Sequence, residues 1–151
     1  MIPGALAALC LLGACAGSGE PQEPVKLNDI SLSYSRLAAV QEGMVTTQLE
    51  LEGLIREFDI RDELRGGWMA ALELCRYHAN LEIDASTEHP ACDDAWRRAL
   101  LTDDRQAQFV TAVQLYQYRG DEAYLTSARS HAASEHDRQI LAIIEIGRAH
   151  V

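Results

Sequence analysis

The sequence has few basic residues and almost no lysine. Lys26 is the only lysine among 13 basic residues, and 23 acidic residues give the 151-residue chain a formal net charge of −10. An acidic surface repels phosphate backbones and anionic lipid headgroups. We therefore expect no nucleic-acid partner and no attachment to a membrane through basic side chains.

Several catalytic motifs are also missing. The sequence has no glycine-rich phosphate loop, no serine nucleophile elbow and no Cys-x-x-Cys-His haem site. Its paired carboxylates, Asp93–Asp94 and Asp103–Asp104, stand at predicted helix starts, where they stabilise the helix dipole. These features favour a protein that is not an enzyme and needs no cofactor.

An uncharged apolar run extends from Met1 to Leu12 and is too short to be a transmembrane helix. It ends in Leu12-Gly13-Ala14-Cys15, which resembles the lipobox of bacterial lipoprotein precursors. The resemblance implies that residues 1–14 are a signal peptide and that Cys15 becomes the lipidated first residue of the mature protein. Residues 15–28 have the composition of a flexible linker.

The lipobox resemblance also implies a location. Ala16 follows the cysteine, and the absence of aspartate there implies sorting to the outer membrane, with the domain facing the periplasm. The membrane anchor would be the lipid on Cys15. Together with the linker, the helical pattern of the chain and the missing catalytic motifs, this anchor favours an interaction or scaffolding role in the cell envelope, with an envelope protein as partner. No basic residue precedes Lys26, so a short apolar helix of a cytosolic protein is the alternative for this segment.

The last six residues, Ile146–Val151, can be encoded by ATC GGA AGA GCA CAC GTC. This string resembles an adapter that is ligated to DNA in short-read sequencing libraries. We therefore expect native sequence to end near Glu145 and residues 146–151 to have no functional role.

The apolar pattern is helical almost throughout, and no segment alternates with period two for long enough to predict a strand. A seven-residue spacing predicts one long amphipathic helix that packs on a neighbour in coiled-coil fashion. Its positions are Ile30, Leu37, Met44, Leu51 and Phe58.

A second helix is predicted from about Ile60, and Gly66–Gly67 is expected to kink or break it. One face of that helix carries Ile60, Leu64, Trp68, Leu72, Cys75 and Ala79.

Capping residues mark the starts of the later helices. Pro90 suits the first turn of a third helix, and Asp103 or Asp104 is predicted to cap a fourth. Ser134 with Asp137 resembles a capping box that opens the last predicted helix.

The fourth and fifth predicted helices carry a bulky residue, a tyrosine, a Gly-Asp turn and a small residue in that order. These are Phe109, Tyr116, Gly120, Asp121 and Ala132. The order resembles one tetratricopeptide repeat, and a generic α-hairpin is the alternative. Altogether we predict an all-α domain over residues 29–145, a helical bundle or stacked α-hairpins of five to six helices.

Cys75 and Cys92 flank the turn between the second and third predicted helices. In an exported protein such a pair is normally a disulfide. Both cysteines lie on apolar faces, so packing of the two helices is expected to bring the sulfur atoms together, with Cα atoms about 4.4–6.8 Å apart.

A metal site is the alternative for the same segment. Cys75-Arg76-Tyr77-His78 and His89-Pro90-Ala91-Cys92 form a mirrored pattern of cysteine and histidine. Two thiolates and two imidazoles can bind zinc in a tetrahedral shell. A periplasmic metal-binding module of Cys75, His78, His89 and Cys92 is therefore the alternative function.

Overall fold

The computed structural model describes residues 22–81 and 90–149, with side chains from residue 30 onward. Over these residues the chain forms seven α-helices and no strand, which confirms the predicted all-α fold. The helices are α1 (Gln22–Gln41), α2 (Gln48–Ile60), α3 (Leu64–Leu81), α4 (Pro90–Leu101), α5 (Arg105–Arg119), α6 (Glu122–His131) and α7 (Glu135–Ala149). No helix in the described ranges is long and apolar enough to cross a bilayer.

The chain divides into two compact units, Met1–Leu32 and Ser33–Val151. In the first unit the described residues are helical from Gln22, within the segment predicted as a linker. The predicted signal peptide, residues 1–14, lies outside the described residues. The second unit holds the rest of α1 and the helices α2–α7.

The predicted long helix over Ile30 to Phe58 is two helices, so that prediction is wrong. Gly43, between α1 and α2, has a φ of 100°, a left-handed conformation that favours glycine. Thr47 then caps α2 in a capping box with Glu50, whose backbone N–H lies 3.2 Å from the Thr47 hydroxyl. These two local features override the seven-residue spacing, and Met44 is exposed.

Gly66 and Gly67 do not break a helix, contrary to the sequence expectation. The break falls earlier, at residues 61–63, and α3 runs through both glycines without interruption. Both are buried against α2, where a Cβ on Gly66 would lie 2.3 Å from the ring of Phe58. The glycines are there because the two helices approach closely.

The core consists of three clusters, and each joins helices that are neighbours in sequence. The first contains Leu37 of α1, Leu51, Leu54 and Phe58 of α2, Ala70 and Leu74 of α3, and Ala91 of α4. The second lies between α3, α4 and α5, and the third between α5 and α6, with three apolar side chains of α7 packed on it. The closest backbone packing is between consecutive helices from α2 to α6, as expected for stacked α-hairpins.

The predicted caps at the α4–α5 and α5–α6 turns are confirmed. Asp104 caps α5 by accepting a hydrogen bond from the Gln106 N–H at 2.9 Å. Gly120 ends α5 with a φ of 70°, and Asp121 starts α6 directly after it. The α5–α6 hairpin has the turn that the sequence predicts, while the repeat-family resemblance stays a prediction.

The capping box at the start of α7 is also confirmed. The Asp137 carboxylate accepts from the N–H groups of Ala133 and Ser134, and the Ser134 hydroxyl accepts from the Asp137 N–H at 3.0 Å. Asp137 is fully buried. Burial raises the pKa of this carboxyl, but the hydrogen bonds that it accepts outweigh burial and hold the pKa below its usual value. α7 extends to Ala149, into the segment predicted to be non-native, and residues 150–151 lie outside the described ranges.

Candidate functional site

Cys75 of α3 and Cys92 of α4 form a disulfide, with their Cα atoms 4.6 Å apart. This distance lies in the range predicted from the sequence. Both cysteines are buried in the second core cluster, beside Trp68, Leu72 and Ala95. The bond therefore fixes α3 to α4 inside the core, with almost no access for solvent.

The alternative metal site is not formed when these cysteines are bonded. Because each sulfur is bonded to the other, neither is a thiolate that could bind zinc. His78 lies on α3 with its ring nearly perpendicular to that of Tyr77, at a centroid distance of 5.5 Å, and His89 lies outside the described residues. Within residues 22–81 and 90–149, no group of three or more His, Cys, Asp or Glu side chains could hold a metal ion.

Cys15, the predicted lipidation site, lies outside the described residues. Lipidation therefore stays a prediction from the lipobox resemblance.

A second candidate region lies where the end of α2, the start of α3 and the end of α4 meet. A cleft of about 170 Å³ opens there, lined by Asp59, Leu64, Arg97, Arg98 and Leu101. The sequence predicted a buried position for Leu64, but its side chain is exposed. The reason is the turn at residues 61–63, which separates α2 from α3, so that Leu64 is the first residue of a new helix.

An arginine network forms the polar wall of this cleft. The guanidinium of Arg98 donates two hydrogen bonds to the carboxylate of Asp59, at 2.7 and 2.8 Å, and a third to Asp94 at 2.7 Å. The hydrogen bonds from Arg98 hold the pKa of Asp59 below its usual value, although partial burial works in the opposite direction. Gly67 leaves space for this network, because a Cβ there would lie 2.8 Å from Nη1 of Arg98.

Two turns lie beside the cleft, one between α2 and α3 and one between α4 and α5, and a hydrogen bond links them. Arg65 at the start of α3 donates a hydrogen bond to Asp104, the cap of α5, at 3.0 Å. Each turn also contains an aspartate in the left-handed backbone conformation, Asp62 with a φ of 55° and Asp103 with a φ of 54°. Aspartate and asparagine are the residues that adopt this conformation most readily after glycine.

The network of Arg98, Asp59 and Asp94 was not predicted from the sequence. Asp94 and Arg98 are one helical turn apart, and this spacing is a local signal that could have indicated their pairing. Asp59 is 39 residues before Arg98, and no local pattern relates them. From the sequence alone, Asp94 is expected only to stabilise a helix dipole.

Comparisons of this chain with protein-family models, with curated proteins and with solved structures find no match. Its function is therefore inferred from its own residues and contacts.

Proposed function

We propose that the chain is a lipid-anchored protein of the cell envelope, attached to the outer membrane through Cys15, with a helical domain that faces the periplasm and binds a protein partner. The observation that carries this proposal is the buried disulfide between Cys75 and Cys92. Structural disulfides form in oxidising compartments such as the periplasm and are rare in the cytosol. The lipobox-like segment from Leu12 to Cys15 independently points to export.

The arrangement of the helices supports the interaction role. Consecutive helices pack on one another along the chain, as in repeat arrays, which offer extended surfaces to partners. The resemblance of residues 109–132 to one tetratricopeptide repeat supports the same role.

Lipidation is tested by expressing the chain in bacteria that are fed an alkyne-bearing fatty acid, followed by detection of the label on the purified protein. We expect label on the wild type and none on Cys15→Ser. Cys10→Ser is the matched control, because Cys10 lies in the apolar run that the proposal treats as a signal peptide, and this variant should keep the label.

Three results would contradict the proposed anchor. These are an unlabelled wild type, a Cys15→Ser variant that keeps the label, and loss of label from both cysteine variants alike.

A further inference from the structure

The C-terminal part of α1, residues 33–41, lies on α2 and on the turn before α3, and we call it the strap. Two of its side chains, Ser33 and Leu37, are buried, while Tyr34 and Val40 are half-buried against the first core cluster. Among the described helices the backbones pack most closely from α2 to α6, and α1 does not belong to that set. The strap is therefore attached mainly through its side chains.

The polar side chains of the strap donate hydrogen bonds to two carboxylates outside it. The Ser33 hydroxyl donates to Glu57 of α2 at 2.5 Å, and the guanidinium of Arg36 donates to the same carboxylate. The Tyr34 hydroxyl donates to Glu63, in the turn before α3, at 2.8 Å. Glu57 and Glu63 thus attach the strap to the rest of the domain.

The surface beneath the strap is an apolar groove formed by α2 and α3. Leu51, Leu54 and Phe58 of α2 and Leu74 of α3 contribute its buried side chains, and the ring of Tyr34 lies 4.8 Å from that of Phe58. This groove is built without the strap, because α2 packs closely on α3 through the two glycines and the disulfide bonds α3 to α4. Helices α2–α6 therefore keep their mutual contacts when the strap leaves.

The connection between the strap and α2 makes few contacts with the core. Met44 and Val45 are exposed to 65% and 91%, and Gly43 supplies the left-handed residue of the turn. A cleft of about 140 Å³ lies between the end of the strap and the start of α2, lined by Val40, Met44 and Leu54 among others. The strap can therefore move about this connection without removing large side chains of the connection from the core.

We propose that the strap is a detachable cover: it leaves α2 and α3 while helices α2–α6 stay folded, and in its closed position it blocks the apolar groove of Leu51, Leu54 and Phe58. Elements that are fixed by few buried apolar contacts open at a lower free-energy cost than the whole domain. The closed strap is thus an autoinhibitory contact, since it occupies a groove that accommodates a helix. The inference goes beyond the proposed function and does not depend on lipidation of Cys15.

Opening of the strap is tested by native-state digestion of the purified, oxidised full chain with trypsin. Arg36 lies within the strap, and trypsin cleaves the bond to Leu37 only when this part of α1 is locally unfolded. Mass spectrometry gives the initial rates of cleavage at Arg36 and at Arg76 of α3. We expect cleavage at Arg36 to be at least about tenfold faster, because cleavage rates follow the population of the open form.

The urea dependence of these rates distinguishes local opening from unfolding of the whole domain. Opening of the strap exposes little surface, so cleavage at Arg36 should depend only weakly on urea, whereas cleavage at Arg76 should increase steeply. This comparison uses the wild type alone and stays decisive if a variant fails to fold.

A carboxylate variant tests how the strap is attached. Glu57→Gln should speed cleavage at Arg36 about fivefold, because the hydrogen bonds from Ser33 and Arg36 lose their charged acceptor. It should change cleavage at Arg76 much less. The matched control is Glu52→Gln on the same helix, where the carboxylate accepts a hydrogen bond from Gln48, and this variant should leave the rate at Arg36 unchanged.

Three results would overturn the detachable strap. They are cleavage at Arg36 that is no faster than at Arg76, the same urea dependence at both sites, and equal effects of Glu57→Gln and Glu52→Gln on the rate at Arg36. These measurements involve neither a lipid nor a partner protein. Their failure therefore leaves the lipid anchor standing, and failure of fatty-acid labelling leaves the strap standing.

Discussion

Two adjacent glycines determine how closely α2 and α3 approach. A Cβ on Gly66 would meet the ring of Phe58, and one on Gly67 would meet Arg98. Phe58 is a buried member of the first core cluster, while Arg98 belongs to the cleft. One glycine therefore makes space for an aromatic ring of the core, and the next makes space for the ion-pair network.

Gly66→Ala is expected to lower the free energy of unfolding by about 1–3 kcal/mol, because the buried Phe58 ring has little room to move. The matched control is Gly53→Ala in α2, where the new Cβ would meet only the Arg56 side chain, at 3.8 Å. Alanine there should raise the free energy of unfolding by about 0.5–1 kcal/mol. Urea unfolding of the oxidised proteins measures both changes, and a similar effect at the two positions would contradict the close approach.

At the scale of the helices, several capping residues predicted helix ends correctly, whereas the Gly66–Gly67 pair and the seven-residue apolar spacing did not. The caps at Asp104, Gly120–Asp121 and Ser134 follow from residue types within one turn of each helix end, so they could be predicted. The capping box of Thr47 and Glu50 is equally local, but it lies within an apolar seven-residue spacing that predicts a continuous helix.

In the candidate site, too, the sequence predicted the feature with a local signal and missed the contacts between distant residues. The disulfide was predictable because Cys75 and Cys92 lie on the apolar faces of two consecutive helices and few other cysteines compete. The cleft was not predictable, because its contacts join α2 to α4 through Asp59 and Arg98, and the pairing of distant helices depends on packing that no local spacing encodes.

The ion pair of Arg98 and Asp59 links two helices, and a double-mutant cycle should detect this link. With Arg98→Met, Asp59→Asn and the double variant, we expect a coupling energy on the order of 1 kcal/mol. Arg138 and Glu135 provide the matched control cycle, because they are exposed and lie on one helix, so their coupling should be about 0–0.5 kcal/mol. Coupling energies of the same size in both cycles would contradict a stabilising link between α2 and α4 through Asp59 and Arg98.

The same pair gives a pH dependence. The pKa of Asp59 is lowered in the folded protein from 3.8, so its pairing stabilises the fold at neutral pH and is lost as the pH falls through the folded-state pKa. The stability difference between the wild type and Asp59→Asn should therefore shrink on acidification below about pH 4. A difference that stays constant across this range would show that Asp59 acts without its charge.

At the scale of the whole molecule, the disulfide is a covalent link within the helical array. Replacing Cys75 and Cys92 together by alanine should lower the free energy of unfolding by about 3 kcal/mol, since the bond closes a loop with a sequence separation of 17. Reductant should destabilise the wild type by a comparable amount and leave the double variant unchanged.

A thiol titration separates this bond from the metal alternative. The titration uses a chain with Cys10→Ser and Cys15→Ser, so that Cys75 and Cys92 are the remaining cysteines. In denaturant no thiol should react until reductant is added. Thiols that become reactive after a chelator alone would contradict the disulfide and favour the metal-binding module.

The packing of each helix on its sequence neighbours has a consequence for how the chain would fold under the proposed export. A secreted polypeptide crosses the membrane from its N-terminus, so its early segments reach the far side before its late ones. Here α2 and α3 share a core cluster with α1 and α4, and α7 is absent from that cluster. Contacts between nearby segments form fast, because little chain entropy is lost in closing short loops. The helices can therefore assemble in the order in which they emerge, and the early apolar faces are covered without waiting for the last helix.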